Sequence, residues 1–516
     1  MLMTNTRPTT LFPDGYRASG VVLDIAALPS RYGIGDVGPS ALSWVDRLRD
    51  AGQGWWQTIQ LDSPRCADYG SSFGANTLLL SPDWLIEDGL LTHRDCECVN
   101  FAEGSIDYDA VVPFKHWLLE KAWTRFNQGE RKDLRHSYEQ FRKKQGHWLE
   151  DYALFRALKL KYRKAHHLEW PSNLVRRDQS AIADVRQELA KEIDQVRFSA
   201  FLLFRQTRRL KQYANQNGVR LIGDLPFFIS ADSSESWACP ELFVSDTHYT
   251  PFTTTDLVPI CFSSNERMSS EHDTGSLSRV SYRWCVDRLR ALLEHVDVAR
   301  VDVRALAAPW HAADDARPVR RGASGADKHL TGLIADAVPS CRTEVSASRD
   351  LFHVPSTRVL QFAFDGIPDN PHLPQNYNPD SVVYIGRNGT KTREWFEKLP
   401  DAQRALLCDY LKHPIGKSTE VAWELIRLAW SSSAALAMVS LQDLLNVEDQ
   451  LKQSDGDGDH HRWRCSEETL SAAAFYLLRD LTKRSNRSAQ AKAKTLTHPA
   501  REPRTGVEIG SVPCAT

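Results

Sequence analysis

Residues Val296–Val303 spell VDVARVDV, an apolar, β-branched run interrupted only by Asp297, Arg300 and Asp302. A run that is continuously apolar, rather than alternating with polar residues, predicts a strand buried on both faces and therefore a parallel sheet. The same signature recurs along the chain. Gly20–Leu28 (GVVLDIAAL), Trp55–Leu61 (WWQTIQL) and Val219–Ile229 (VRLIGDLPFFI) precede it. Leu333–Ala335, Arg358–Phe364 (RVLQFAF), Ser381–Ile385 (SVVYI) and Ala435–Leu441 (ALAMVSL) follow it. Amphipathic helical patterns separate several of them, as at Ser40–Ala51, Phe204–Asn217 and Tyr282–His295. About eight strands alternating with helices predict a closed α/β barrel, a (β/α)8 TIM barrel, with functional residues where strands end.

Between the second and third runs, about residues 93–197, lies a Lys-, Arg-, Glu- and Leu-rich stretch at helical spacing. It is expected to form a helical insertion over one side of the barrel, its basic residues making a solvated face. The domain reading is an N-terminal segment (1–18), the barrel with its insertion (19–485), and a polar tail (486–516) expected to be disordered.

The 516-residue chain carries 64 Lys+Arg against 66 Asp+Glu, so no global field would recruit nucleic acid or an anionic membrane. Its ten cysteines contain no Cys-x-x-Cys pair. With no apolar run of signal or membrane-spanning length, free thiols in the cytoplasm are the simplest expectation. The fifteen tryptophans hint at flat sugar faces, although core packing accounts for most of them.

Two motifs are set aside. Gly33–Gly38 (GIGDVG) has the spelling of a dinucleotide fingerprint, but the PSRY segment before it is too long for the tight first turn of that motif. It reads as a glycine-rich turn. The DGDGD of Asp455–Asp459, before His460 and His461, lacks the distal Glu of a calcium loop and reads as a solvated acidic turn. No cofactor and no metal are expected.

The informative places are carboxylates at strand ends. Asp302 closes VDVARVDV, and Arg300, two residues back on the same face, is its natural partner. Asp224 ends RLIGDLP in the same manner. Either alone could be a structural ion pair. Two carboxylates at one end of a barrel raise the odds for glycosyl chemistry, where retention needs a nucleophile and an acid/base ~5–5.5 Å apart.

At these residues the chain resembles the amylomaltase (4-α-glucanotransferase) family, relatives of the α-amylases. RYGIGDVGPSALSWVDRLRDAGQGWWQ, RLIGDLPFFISADSSESWACPELF, RVLQFAFDGIPDNPHLPQNY and SLQDLL carry the likeness, which covers about Ser19 to Leu481. The resemblance implies transfer of α-1,4-glucan segments by a retaining double displacement without a cofactor. It places Asp302 as nucleophile, with Arg300 beside it, where the family's R-I-D-H-F-R-G-F falls on ARVDVRALA. Val303 replaces the family's His, and Arg304 sits one residue closer than expected. The I-A-E-D-L-G segment falls on LIADAVP, so the acid/base is Asp336, one methylene shorter than Glu; Glu344 lies too far along. Tyr69, Asp224 and Asn388 fall at sugar-contacting positions, and Gly389 stands where the family has its transition-state-stabilising Asp. Two functions of different class follow. One is a glucanotransferase acting on maltodextrins; the other is an impaired homologue that binds glucans or a partner protein.

Overall fold

The structure, a computed structural model, describes residues 11–58, 73, 76–97, 100–129, 132–225, 228–240, 257–259, 284, 287–302, 333–336, 355–386, 391–446, 462–470 and 473–488. Eight strands form one sheet: β1 (Ala18–Val22), β2 (Trp55–Thr58), β3 (Arg220–Leu225), β4 (Val298–Asp302), β5 (Leu333–Asp336), β6 (Thr357–Val359), β7 (Val382–Tyr384) and β8 (Leu436–Ser440). Their spatial order is β5-β4-β3-β2-β1-β8-β7-β6 and every pairing is parallel. That is the cyclic order of a (β/α)8 barrel, with β5 and β6 meeting at the seam. A short antiparallel ribbon of Phe228–Ser230 and Leu257–Pro259 stands outside it.

Residue parity along each strand separates two cores. Ala18, Val22, Trp55, Ile222, Val298, Val359, Val382, Tyr384, Leu436 and Met438 pack together inside the barrel. Their strand neighbours Val21, Trp56, Leu221, Val383, Ala437 and Val439 face outward into the larger core shared with the helices. This two-sided burial is why the strands read as unbroken apolar runs. Helix α1 (Pro39–Asp50) shows the complement: Pro39 opens it, and Ala41, Trp44, Val45 and Leu48 form its buried stripe.

Two apolar runs turn out shorter as strands than as sequence. GVVLDIAAL ends its ladder at Val22, because Asp24 caps a 3-10 turn over Ile25–Ala27 by accepting from the Ala26 amide at 3.0 Å. RVLQFAF leaves the sheet at Val359 for a 3-10 turn over Leu360–Phe362. Gly33 supplies a positive φ of 79°, and a Cβ on Gly35 would lie 2.0 Å from the Ile25 carbonyl. The GIGDVG glycines therefore fold a turn tightly against the end of β1.

The insertion is helical as expected, with α2 (Tyr108–Gln128), α3 (Lys132–Lys161) and α4 (Ala190–Gln216) as its long members. No boundary falls at Arg197. Helix α4 runs unbroken through it, serving the insertion with one half and packing on α1 and β3 with the other. Nor is the basic face wholly solvated: Lys159 is buried, bonded to Asp232 and to the carbonyls of Lys164 and Ala165. Trp237, which follows β3, donates to the Leu174 carbonyl at 2.9 Å and joins Phe155 and Trp170 in a separate core. These contacts clamp the insertion to the loop after β3. Among the described residues, no helix is long and apolar enough to cross a membrane.

The base of the barrel is sealed by groups flanking it in sequence. Phe12 packs on Trp55, whose indole N–H donates to the Tyr16 hydroxyl at 2.9 Å. Arg487, read from composition as part of a disordered tail, is instead fully buried. Its guanidinium donates to the carbonyls of Trp430, Ala18 and Ser432 at 2.8, 3.0 and 2.8 Å. The expected tail beyond residue 488 lies outside the described residues. Burial, with Arg17 nearby, pushes the Arg487 guanidinium down to about 9. Replacing Arg487 by Ala leaves three buried carbonyls without this donor, so chemical denaturation should show a loss of about 3 kcal/mol or more. A change below ~0.5 kcal/mol, the size of an ordinary surface substitution, would contradict this account of the base.

Candidate active site

At the C-terminal ends of the strands the inward positions turn from apolar to polar. Two residues beyond Trp55, Ile222, Val298 and Val382 stand Gln57, Asp224, Arg300 and Tyr384. Parallel register sets Gln57 against Ile222 and Asp224 against Arg300. Arg300 grips Asp224 with two bonds, Nε to Oδ1 at 2.8 Å and Nη2 to Oδ2 at 2.7 Å. Gln57 Nε2 donates to the same Asp224 Oδ1 at 3.0 Å, and its Oε1 accepts from the Tyr384 hydroxyl at 2.7 Å. The guanidinium also lies over the Tyr384 ring, 5.6 Å from its centre.

Both charges are largely shielded, with side-chain exposures of 14% for Arg300 and 12% for Asp224. A charge in such a place is tolerable only with good pairing. The bidentate geometry and the Gln57 amide provide it. Arg300 is thus held by Asp224, and the expected pairing of Arg300 with Asp302 lies outside the described side chains. Of this network the sequence pointed to Asp224 and Arg300 and missed Gln57 and Tyr384. The available signal was a polar Gln inside WWQT, a strand buried at every position.

One step further out, Asp302 on β4 and Asp336 on β5 are register partners. Adjacent strands run about 4.8 Å apart, so the backbones of residues 302 and 336 share one level, two residues along β4 from Arg300. Tyr69, Asn388, Gly389 and Glu344 lie outside the described residues. The segment after them is anchored nonetheless. Asp443 in SLQDLL accepts from the Thr392 amide at 2.8 Å and from the Ser440 hydroxyl at 2.8 Å, tying the chain beyond β7 to the end of β8.

Asp24, unremarked in the sequence, stands at the mouth end of β1. It is partly exposed. Burial of its carboxyl pushes its pKa up to about 7; the Ala26 amide works against this, and the neighbouring Asp224 charge adds to it. Among the described residues one group has metal-ligand character: His166, His167 and Asp232, whose ligand atoms lie within 4.8 Å of one another. Lys159 occupies Asp232, and His166 Nδ1 accepts from the Leu168 amide, which leaves the ring proton on Nε2. A cation at Nε2 would displace that proton and set the Nδ1 proton against the amide, so this cluster reads as a structural tie.

The raised Asp24 pKa has a consequence for stability. The folded state binds this proton more tightly than the unfolded chain, so Asp24 costs folding free energy progressively as pH rises from about 4 through about 7. Asp24→Asn removes that cost. Its stability relative to the parent should rise by on the order of 2 kcal/mol between pH 5 and pH 8. A pH-independent difference between the two denaturation curves would contradict the assignment.

The comparisons with known proteins agree with this geometry. A profile of the family described as 4-alpha-glucanotransferase matches residues 23–468. The 4-alpha-glucanotransferase of Aquifex aeolicus is 31% identical over 484 residues, spanning 89% of this chain and 97% of that one. That of Synechocystis sp. is 32% identical over 457 residues, spanning 84% and 90%. Among solved structures, the amylomaltase from Streptococcus agalactiae in complex with acarbose superposes with a TM-score of 0.77 at 24% identity, covering 92% of this chain and 100% of that one. With the barrel order, the carboxylate-bearing strand ends and these relatives together, the chain belongs to the 4-alpha-glucanotransferase, or amylomaltase, family.

Proposed function

We infer that this chain is a working 4-alpha-glucanotransferase that moves segments of α-1,4-glucan between maltodextrins by a retaining double displacement. The observation that carries the reading is the register pairing of Asp302 with Asp336 on adjacent strands at the barrel mouth. Neighbouring strand ends are where a nucleophile and an acid/base can be carried close together, as retaining glycosidases require.

The Asp302 carboxylate attacks the anomeric carbon of the donor while the glycosidic C–O bond breaks. Asp336 gives its proton to the departing sugar oxygen. The 4-hydroxyl of an acceptor glucan then attacks the same carbon, the bond to Asp302 breaks, and Asp336 takes the acceptor's proton. Two inversions give net retention. Arg300, immobilised by Asp224, sets a fixed positive charge two residues from the nucleophile on the same strand. Tyr69 and Asn388 contact the sugar, and no cofactor takes part. The shorter Asp336 and the absence of a carboxylate at Gly389 bear on rate, since each of these functions is worth ~10²–10³-fold or more.

The binding-only alternative has no support from the relatives named above, each of which bears the transferase name. The reading extends to a cytoplasmic site of action, supported by the free thiols of Cys96, Cys408 and Cys465.

Purified protein incubated with maltotriose should yield glucose together with longer maltodextrins. Asp302→Asn should reduce that disproportionation at least ~10³-fold while leaving maltodextrin binding in place. Binding without products from the parent protein, at high enzyme concentration, would overturn the transferase reading.

A further inference from the structure

We propose that Asp24 is a substrate-binding residue of this site, hydrogen-bonding a hydroxyl of the sugar unit seated over the Asp224–Arg300 pair. The proposal deepens the transferase reading and rests on it.

Asp24 lies two residues beyond Val22, whose side chain belongs to the barrel-interior core. Val22 is in register with Gln57, which bonds Asp224. Asp224 is also close enough for its charge to raise the Asp24 carboxyl. Among the described residues, the inward polar groups beside it are committed to neighbours: Asp224 to Arg300 and Gln57, and Gln57 to Tyr384. Asp24 differs. Its carboxyl accepts from the backbone amides of Ala26 and Ile25 and, among the described residues, has no side-chain partner. It also retains solvent access, whereas Gln57 is fully buried.

A carboxyl beside a second acid, with hydrogen-bonding capacity unspent, is costly unless it faces something that uses it. The backbone holds it there rigidly. Leu23 donates its amide to the Gln57 carbonyl and accepts from the Trp56 indole. Ala26 accepts from the Gly35 amide, and Ala27 from the Cys465 amide. A carboxyl with a pKa near 7 is in part protonated at neutral pH, so it can both donate to and accept from a sugar hydroxyl. Small polar ligands are oriented by a few such fixed groups.

The test uses the full-length protein, with Asp24→Ala and Asp24→Asn compared with the parent. Disproportionation is measured on maltotriose and on maltotriose analogues deoxygenated one hydroxyl at a time. Asp24→Ala should lower kcat/KM for maltotriose ~10-fold or more without lowering the melting temperature, and Asp24→Asn, which retains donor and acceptor, should recover part of the loss. One deoxy analogue should be handled poorly by the parent yet lose nothing further in Asp24→Ala, because the two changes delete the same bond. Losses that simply multiply for every analogue would overturn the proposal, as would unchanged kcat/KM in Asp24→Ala. If the parent yields no products from any glucan, the transferase reading itself fails. Maltoheptaose binding by calorimetry would still read Asp24, with ~10-fold weaker affinity in Asp24→Ala supporting the contact and equal affinity contradicting it.

Discussion

The bidentate pair between Asp224 and Arg300 sits where a barrel has least tolerance for charge, inside its lumen. Either group alone would carry a large desolvation cost, and each is acceptable because the other, with the Gln57 amide, meets it at hydrogen-bond distance. The pair fixes more than itself. It joins β3 to β4 across their inner faces, and Gln57 extends the connection through β2 to Tyr384 on β7. Four of the eight strands are thereby tied together at one level. The level above is where β4 and β5 bring Asp302 and Asp336 into register. With Asp302 as the proposed nucleophile, this immobilised guanidinium two residues back on the same strand is a charge already in place before substrate arrives.

The two ends of the barrel divide the work. At the base, apolar and arginine side chains close the lumen: Phe12 on Trp55, and Arg487 and Arg17 on the carbonyls that lead into β1 and β8. These groups have their hydrogen bonds satisfied by the protein and serve stability. At the mouth, Asp24 has capacity left over and a pKa displaced in the direction that costs folding free energy. Such a trade between stability and function is expected where a site is prepared for a ligand.

Much of this was legible in the sequence because one physical rule was at work. Parallel strands covered on both sides must be apolar throughout, so a charged residue within one stands out, and Asp224, Arg300 and Asp302 did. What stayed hidden depended on distance or on local turn chemistry. Gln57 and Tyr384 are separated by 327 positions, and no local pattern announces their bond. Asp24 lay inside an apolar run that looked like one long strand, and only the 3-10 turn that it caps reveals it as a residue of the rim. The end of the insertion, expected at about Arg197, falls within one helix, because a continuous helical period carries no mark of where an insertion ends and a barrel helix begins. Arg487 sits in a polar stretch whose composition resembles a solvated tail, yet three carbonyls at the barrel base bury it.

In the proposed double displacement, Asp302 forms the covalent glycosyl intermediate and Asp336 is the group that releases it. With Asp336 replaced by Asn, a donor with a good leaving group, such as α-maltosyl fluoride, needs no acid to form the intermediate but still needs a base to discharge it. Mass spectrometry of the digested protein should then show a maltosyl adduct on the peptide that contains Asp302. Transfer products formed by that variant at the parent's rate, or an adduct on any other carboxylate, would contradict it.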